Sequence, residues 1–415
     1  AEVRDWNRIA DEVDNGRMDN VLGAYNGMVW DVTGYGANAN VRSYNPGSDS
    51  WVTIGTPPPF GVNYARSGCQ IGSKVYMYGD TGTSGFTGLW SYDMETTTWA
   101  QEAPSGTSPP YTGIWAPAWA ADEVNGICYL TGGATAPGTG NLSSVFVYDA
   151  IANAWLAPLP DFTTVRDFHA AYTFRNQMGA PLLCVAGGNS ASVGINSTQC
   201  FYFEGGFWNS ENVDVAPLPS DVWGMGYASM GNNYLLMAGG VVGGSISSQT
   251  YAYHIPTDQW IDYGTFDSGA VYRTSMVLLD GIFHHIGGSI VSFNYTGLSD
   301  RLDEYPCPEC VKPEIQVEPA SIAQVQRTND VRSRLSTVCN TGDEPLVYNI
   351  LEGGGSPLAN KGGTGEWFSG SAASILAPVN GGGMKPTSTS GYRWTPDDPS
   401  IQDLHILVYA DDFIH

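Results

Sequence analysis

Positive charge is scarce in this chain. Lys and Arg number 17 against 41 Asp and Glu, a formal net charge of −24 over 415 residues. Such a surface repels phosphate backbones and anionic bilayers, which excludes nucleic acid and membrane-surface partners. No run of eighteen apolar residues occurs, so no helical membrane span is expected. Stretches of helical period are nearly absent. So are serine nucleophile elbows, phosphate loops and metalloprotease helices. Cys307-Pro-Glu-Cys310 has no second such pair, which argues against zinc. The acidic residues Asp300, Asp303, Glu304, Asp397 and Asp398 do not have the spacing of a dedicated calcium loop and read as solvated faces. No cofactor is therefore expected, with calcium the one ion that an acidic chain could attract.

Glycine and aromatics are plentiful, and they recur in register. Tyr129 to Pro160 is the clearest unit: a short apolar strand, the pair Gly132-Gly133, a Gly/Ser/Thr loop, the strand VFVYD, and then Trp155. Tyrosine and tryptophan recur seven residues apart as Tyr44/Trp51, Tyr92/Trp99, Tyr148/Trp155 and Tyr253/Trp260, with Phe201-Tyr202 and Trp208 a shorter version. Glycine pairs recur at Gly187-Gly188, Gly239-Gly240 and Gly287-Gly288, and weaker ones at Gly34-Tyr35-Gly36 and Gly79-Asp80. Successive tryptophans of the series are 48, 56, 53 and 52 residues apart.

A period of roughly 50 residues with four short strands resembles the kelch repeat. The resemblance covers about residues 1–306 and implies an all-β, six-bladed β-propeller. A blade is a small twisted sheet that cannot bury both faces alone, so neighbours must stack around an axis. The Tyr and Trp side chains then read as packing between blades. The last repeat ends without a tryptophan, and the segment around Trp6 is expected to supply its outer strand and close the ring.

Residues 307–313 read as a proline-bounded linker. Residues 314–400 resemble a bacterial Ig-like β-sandwich module, on Pro319-Ala320-Ser321 and the Asn340–Leu346 turn, with long Gly/Ser/Thr-rich loops. The run Leu404–Phe413 looks like a buried parallel strand, so residues 401–415 are expected to open a further, truncated α/β domain. Ala1 reads as a mature N-terminus or a fragment boundary. The layout is similar to large secreted bacterial proteins, some built around subtilisin-like proteases. A secreted or extracellular-surface location follows as an expectation.

Seven cysteines fit that setting. Cys184 and Cys200 should lie on adjacent strands and form a disulfide, and Cys307 with Cys310 a short one. Cys69, Cys128 or Cys339 is left as the odd thiol. Glycosylation sequons stand at Asn141, Asn196 and Asn294.

Propellers bind ligands at the ends of the central channel. Aligning the repeats on their glycines places Asn20, Arg66, Arg166, Met225 and Arg273 near the start of the innermost strands, with Arg17, Trp115, His169, Trp223 and Tyr272 close by. Arg66, Arg166, His169 and Arg273 could form an anion site, with Trp115 and Trp223 stacking on sugar rings. The bland alternative is that each arginine bonds the loops of a neighbouring blade.

Copper radical oxidases resemble kelch proteins but need two histidines and two tyrosines on one metal. Here His284 and His285 alternate along one strand, and His254 lies at an outer position, so no metal site is expected. The expected function is a non-catalytic extracellular binding or adhesion module for glycan or protein. Two alternatives are a self-associating subunit of a filament or surface layer, and a kelch-type sugar mutarotase.

Overall fold

The computed structural model describes residues 6–302, apart from Gln177, Asn232 and Asn233, and six strands between Ile315 and Ala410. It is all-β. Two compact units divide at Pro306/Cys307. Among the described residues the one helical element is a 3-10 turn at Ile255–Thr257.

Among the described residues of the first unit, six sheets of four or five strands follow one another in chain order, with smaller two- and three-stranded ones beside them. Sheet 1 runs Arg17–Tyr25, Met28–Gly36, Arg42–Asn45, Ser50–Thr53. Sheet 2 runs Cys69–Ile71, Lys74–Tyr78, Leu89–Asp93, Thr98–Gln101. Sheet 3 runs Ala118–Asp122, Ile127–Thr131, Val145–Asp149, Ala154–Trp155, with Ser105–Gly106 added in parallel at its outer edge. Sheet 4 runs Ala170–Arg175, Pro181–Ala186, Thr198–Tyr202, Phe207–Trp208. Sheet 5 runs Gly226–Met230, Tyr234–Ala238, Gln249–His254, Gln259–Thr265. Sheet 6 runs Ser275–Leu279, Ile282–Ile286, Ser299–Leu302, and its fourth strand is Trp6–Arg8 from the start of the chain. Trp6 stands opposite Leu302, is buried, and donates from its indole to Thr250 Oγ1 at 3.0 Å.

The recurrent aromatic pair has a simple geometry. Seven residues is the spacing that puts Tyr and Trp directly opposite each other across the last hairpin of a sheet. Tyr44 faces Trp51, Tyr92 faces Trp99, Tyr148 faces Trp155 and Tyr253 faces Trp260. Their ring centroids are 4.9–5.4 Å apart. Cross-strand aromatic pairs of this kind stabilise a hairpin by roughly 0.2–1 kcal/mol.

In sheets 1, 2, 4 and 5 the Trp indole also bonds the connector entering the sheet. Trp51 donates to Ala10 O, Trp99 to Thr56 O, Trp208 to Pro160 O and Trp260 to Ala216 O, at 2.6–2.9 Å.

The glycine pairs join one sheet to the next. The amide of Gly133 donates to Arg166 O, Gly188 to Val222 O, Gly240 to Val271 O and Gly288 to Arg17 O. The last of these links sheet 6 to sheet 1. Gly288 has φ 114°, and a Cβ there would sit 2.9 Å from Thr274 Cβ and 3.0 Å from Tyr272 O. Only glycine meets both demands.

Apolar clusters fill the spaces between successive sheets. Val32, Val75, Met77 and Trp90 pack between sheets 1 and 2, and Tyr76, Leu130 and Tyr148 between sheets 2 and 3. Val145, Phe162 and Val185 lie between sheets 3 and 4, and Leu182, Met237 and Tyr253 between sheets 4 and 5. Val29, Tyr44 and Ile286 lie between sheets 6 and 1. Cys69 and Cys128 are bonded to each other across sheets 2 and 3, which leaves Cys339 of the three candidates for the odd thiol. Each sits at the inner face of its own sheet, a relation that spacing along the chain does not reveal. Cys184 and Cys200, directly opposed on adjacent strands, are also bonded.

The second unit has three antiparallel strand pairs: Ile315–Glu318 with Thr337–Asn340, Tyr348–Glu352 with Ile406–Ala410, and Gly363–Phe368 with Gly391–Pro396. The apolar run read as the opening of a further domain contributes the strand Ile406–Ala410, which pairs antiparallel with Tyr348–Glu352. Cys307 and Cys310, and the linker read at 307–313, lie outside the described residues.

Candidate functional site

Six residues, one just before or within the innermost strand of each sheet, share a left-handed backbone: Asp19, Arg66, Ala116, Phe168, Gly224 and Arg273, with φ between 45° and 67°. Their main chains bond in succession. Arg66 N donates to Asp19 O at 2.9 Å, Asp19 N to Arg273 O at 2.8 Å, and Arg273 N to Gly224 O at 2.6 Å. Gly224 N donates to Phe168 O at 2.9 Å and Phe168 N to Ala116 O at 3.0 Å. Between sheets 2 and 3 the neighbouring Ser67 hydroxyl donates to Pro117 O at 3.1 Å. Left-handed turns cost little for Asp and Gly and more for Ala, Phe and Arg. The chain tolerates them here because five of the six turns aim an amide at a neighbouring sheet's carbonyl.

Around these turns stands a continuous cluster of aromatic rings. Tyr35 stacks on Tyr64 at 4.6 Å, Tyr64 meets Trp115 at 5.1 Å, and Trp115 meets Phe168 at 6.2 Å. Phe168 meets Trp223 at 5.7 Å, and Trp223 meets Tyr272 at 5.7 Å. Phe293 and Tyr295, from the hairpin of sheet 6, return to Tyr35 at 5.9 and 6.1 Å.

The Arg273 guanidinium is inside this cluster, with its Cζ 5.1–5.7 Å from the rings of Phe293, Tyr64, Trp115 and Phe168. Its charge is balanced by Asp19, to which Nε donates at 2.9 and 3.1 Å. That carboxylate raises Arg273 above its usual value despite burial. Burial and the contact with Tyr35 hold the Tyr64 phenol up, so the ring stays neutral and available for stacking. Trp115 is 8% exposed and forms the floor. Trp223 and Tyr272 are half-buried, and Phe293 is 52% exposed at the rim.

The residues proposed from sequence thus separate into three places. Trp115, Trp223 and Arg273 belong to the aromatic cluster. Arg66 lies deeper, 2% exposed, and its Nη2 donates to Met225 O at 3.2 Å. Arg166 and His169 lie between sheets 3 and 4.

Arg166 is not equivalent to Arg66 and Arg273; Phe168 occupies that place. Arg166 instead donates to Gly187 O at 2.9 Å, to Ser197 O at 3.0 Å and toward Glu211. His169 is fully buried against Thr131, Nε2 to Oγ1 2.8 Å, and burial followed by Arg166 holds it well below its usual value, hence neutral. The three arginines do not converge on an open pocket, which the mutarotase alternative required. Trp115, as the floor, has no free face for a sugar.

Asp19, Tyr35, Tyr64, Phe168, Phe293 and Tyr295 were not singled out from sequence. Asn196 and Asn294 are exposed, whereas Asn141 is half-buried and donates to Asn189 O at 3.2 Å. Among the described residues no group of three His, Cys, Asp or Glu could hold a metal ion, and no helix is long and apolar enough to cross a membrane. No protein-family model and no curated protein sequence matches the chain.

Proposed function

We propose that the chain is an extracellular, non-catalytic carbohydrate-binding module. In this reading the six sheets are the blades of a kelch-type propeller, the second unit is an Ig-like spacer, and glycan lies across the aromatic end of the channel. The propeller reading is supported by the succession of links between neighbouring sheets, by Trp6–Arg8 completing sheet 6, and by Gly288 bonding back to Arg17. An extracellular setting is supported by two disulfides, because thiols stay reduced in most cytosols.

One observation carries the glycan reading: a continuous aromatic surface that grades from the buried floor Trp115 to the exposed rim Phe293. Sugar C–H faces stack on such rings, and ligand sites combine apolar walls with a few fixed polar groups. The hairpins at Ala134–Asn141, Asn189–Gly194 and Ser289–Tyr295 carry Ser, Thr and Asn suited to sugar hydroxyls. Arg273 does not make the site an anion trap, since Asp19 already neutralises it. Neutral, extended oligosaccharides are the favoured class. Screening the protein on an array of neutral and acidic glycans tests this: binding should concentrate on neutral chains. An array with no binding above background, or binding confined to sulfated and sialylated glycans, contradicts it.

A further inference from the structure

A second feature lies on the channel axis, beside the aromatic surface. A cavity of about 60 Å³ is walled by the first residues of the innermost strands of sheets 1, 2, 5 and 6, among them Asn20, Arg66, Ser67, Met225 and Ser275. It is large enough for more than one water-sized particle, since one water needs about 10–15 Å³ by this measure. No Asp or Glu lines it, and Arg66 is its one cationic residue.

Arg66 is buried with Nε and Nη1 unpartnered, and both polar atoms of the fully buried Asn20 amide are unpartnered as well. The other polar walls are committed: Ser67 Oγ donates to Pro117 O and Ser275 Oγ to Asn20 O. The unpartnered donors among the lining residues are therefore the two guanidinium nitrogens and the Asn20 amide, the latter lying beside Gly287.

The local charge count points the same way. Arg66 and Arg273 are two cations beside one close carboxylate, Asp19, and Arg273 holds that carboxylate through two of its nitrogens. Asp167 acts on Arg66 more weakly than Asp19 does, and its own burial pushes it up to about 6. A buried cation with free donors and no dedicated counter-charge is unfavourable unless something compensates it. We infer that the cavity is a binding site for a small monovalent anion of halide size, held by the Arg66 guanidinium and the Asn20 amide. Such an ion completes the charge balance at the centre of the sheets and stabilises the folded unit. Its chemistry differs from that of the proposed glycan surface, which it adjoins where Arg66 Cζ lies 5.1 Å from the Phe168 ring.

Thermal unfolding of the full chain in sodium chloride, bromide and gluconate at constant ionic strength tests the inference. Gluconate, a bulky and weakly coordinating anion, is the reference salt. Chloride and bromide should raise Tm by roughly 2–4 °C along a saturating curve, and gluconate should not. Arg66→Met and, separately, Asn20→Leu should abolish or weaken the halide dependence. Anomalous scattering from wild-type crystals grown in bromide reads the same site without any substitution. A bromide peak within hydrogen-bond reach of Arg66 Nε or Nη1 supports it. Equal Tm in all three salts, or bromide crystals with no peak in the cavity, overturns it.

Discussion

Arg273 and Asp19 are 254 residues apart in sequence, yet Arg273 Nε lies 2.9 and 3.1 Å from the two Asp19 carboxylate oxygens. Their main chains are bonded too, Asp19 N to Arg273 O at 2.8 Å. The pair joins the first sheet to the last, and it seats a neutralised guanidinium among four aromatic rings.

Asp19→Asn tests the charge alone, because Asn tolerates the same left-handed backbone. Removing one partner of a buried pair typically costs about 3–5 kcal/mol. Urea unfolding should register a loss of that order. A loss below about 1 kcal/mol would mean that the backbone links hold the sheets without the ion pair.

The Cys69–Cys128 bridge closes 59 residues and Cys184–Cys200 closes 16. On loop-closure grounds the longer should contribute about 4 kcal/mol and the shorter about 3 kcal/mol. The paired substitution Cys69→Ser with Cys128→Ser should therefore be the more damaging of the two in equilibrium unfolding. The reverse order would point to strain or residual structure outweighing chain entropy.

Asp300 is fully buried, accepts from Ser268 N at 3.1 Å, and has His285 Nδ1 3.8 Å away. Burial raises it to about 6, opposed by Ser268 and Arg8 and assisted by Asp267. An acid held up in the fold binds its proton more tightly folded than unfolded. Its stabilising contribution is therefore full below about pH 4 and is lost as pH rises through about 6. His285, held down to about 3 by burial, acts in the opposite sense, but it is common to both proteins in a comparison. The Tm of Asp300→Asn minus that of wild type should become more positive between pH 4 and pH 7. A flat difference contradicts the raised value.

Much of the architecture was legible because it rests on side chains that recur. The seven-residue Tyr–Trp spacing is the register of a hairpin, and the glycine pairs mark where one sheet's backbone meets the next. The central turns were not legible, for a physical reason. Asp19, Arg66, Ala116, Phe168, Gly224 and Arg273 share a backbone conformation and hydrogen bonds but no side-chain type. Alignment on the glycine pairs therefore drew in Arg166, whose role is to tie loops within sheet 4. The aromatic surface was only half visible, because Phe293 and Tyr295 come from a hairpin that carries no repeat signature.

The most direct measurement is a fluorescence titration of wild type and Phe293→Ala with the best neutral oligosaccharide from the array. Phe293 is 52% exposed, so its removal should leave Tm nearly unchanged. Wild type should show a saturable change in tryptophan emission, since Trp223 lies inside the cluster. The variant should bind about tenfold more weakly, the loss of one stacking ring worth about 1.4 kcal/mol. Equal affinity in the two proteins would place the ligand elsewhere and contradict the aromatic surface as the binding site.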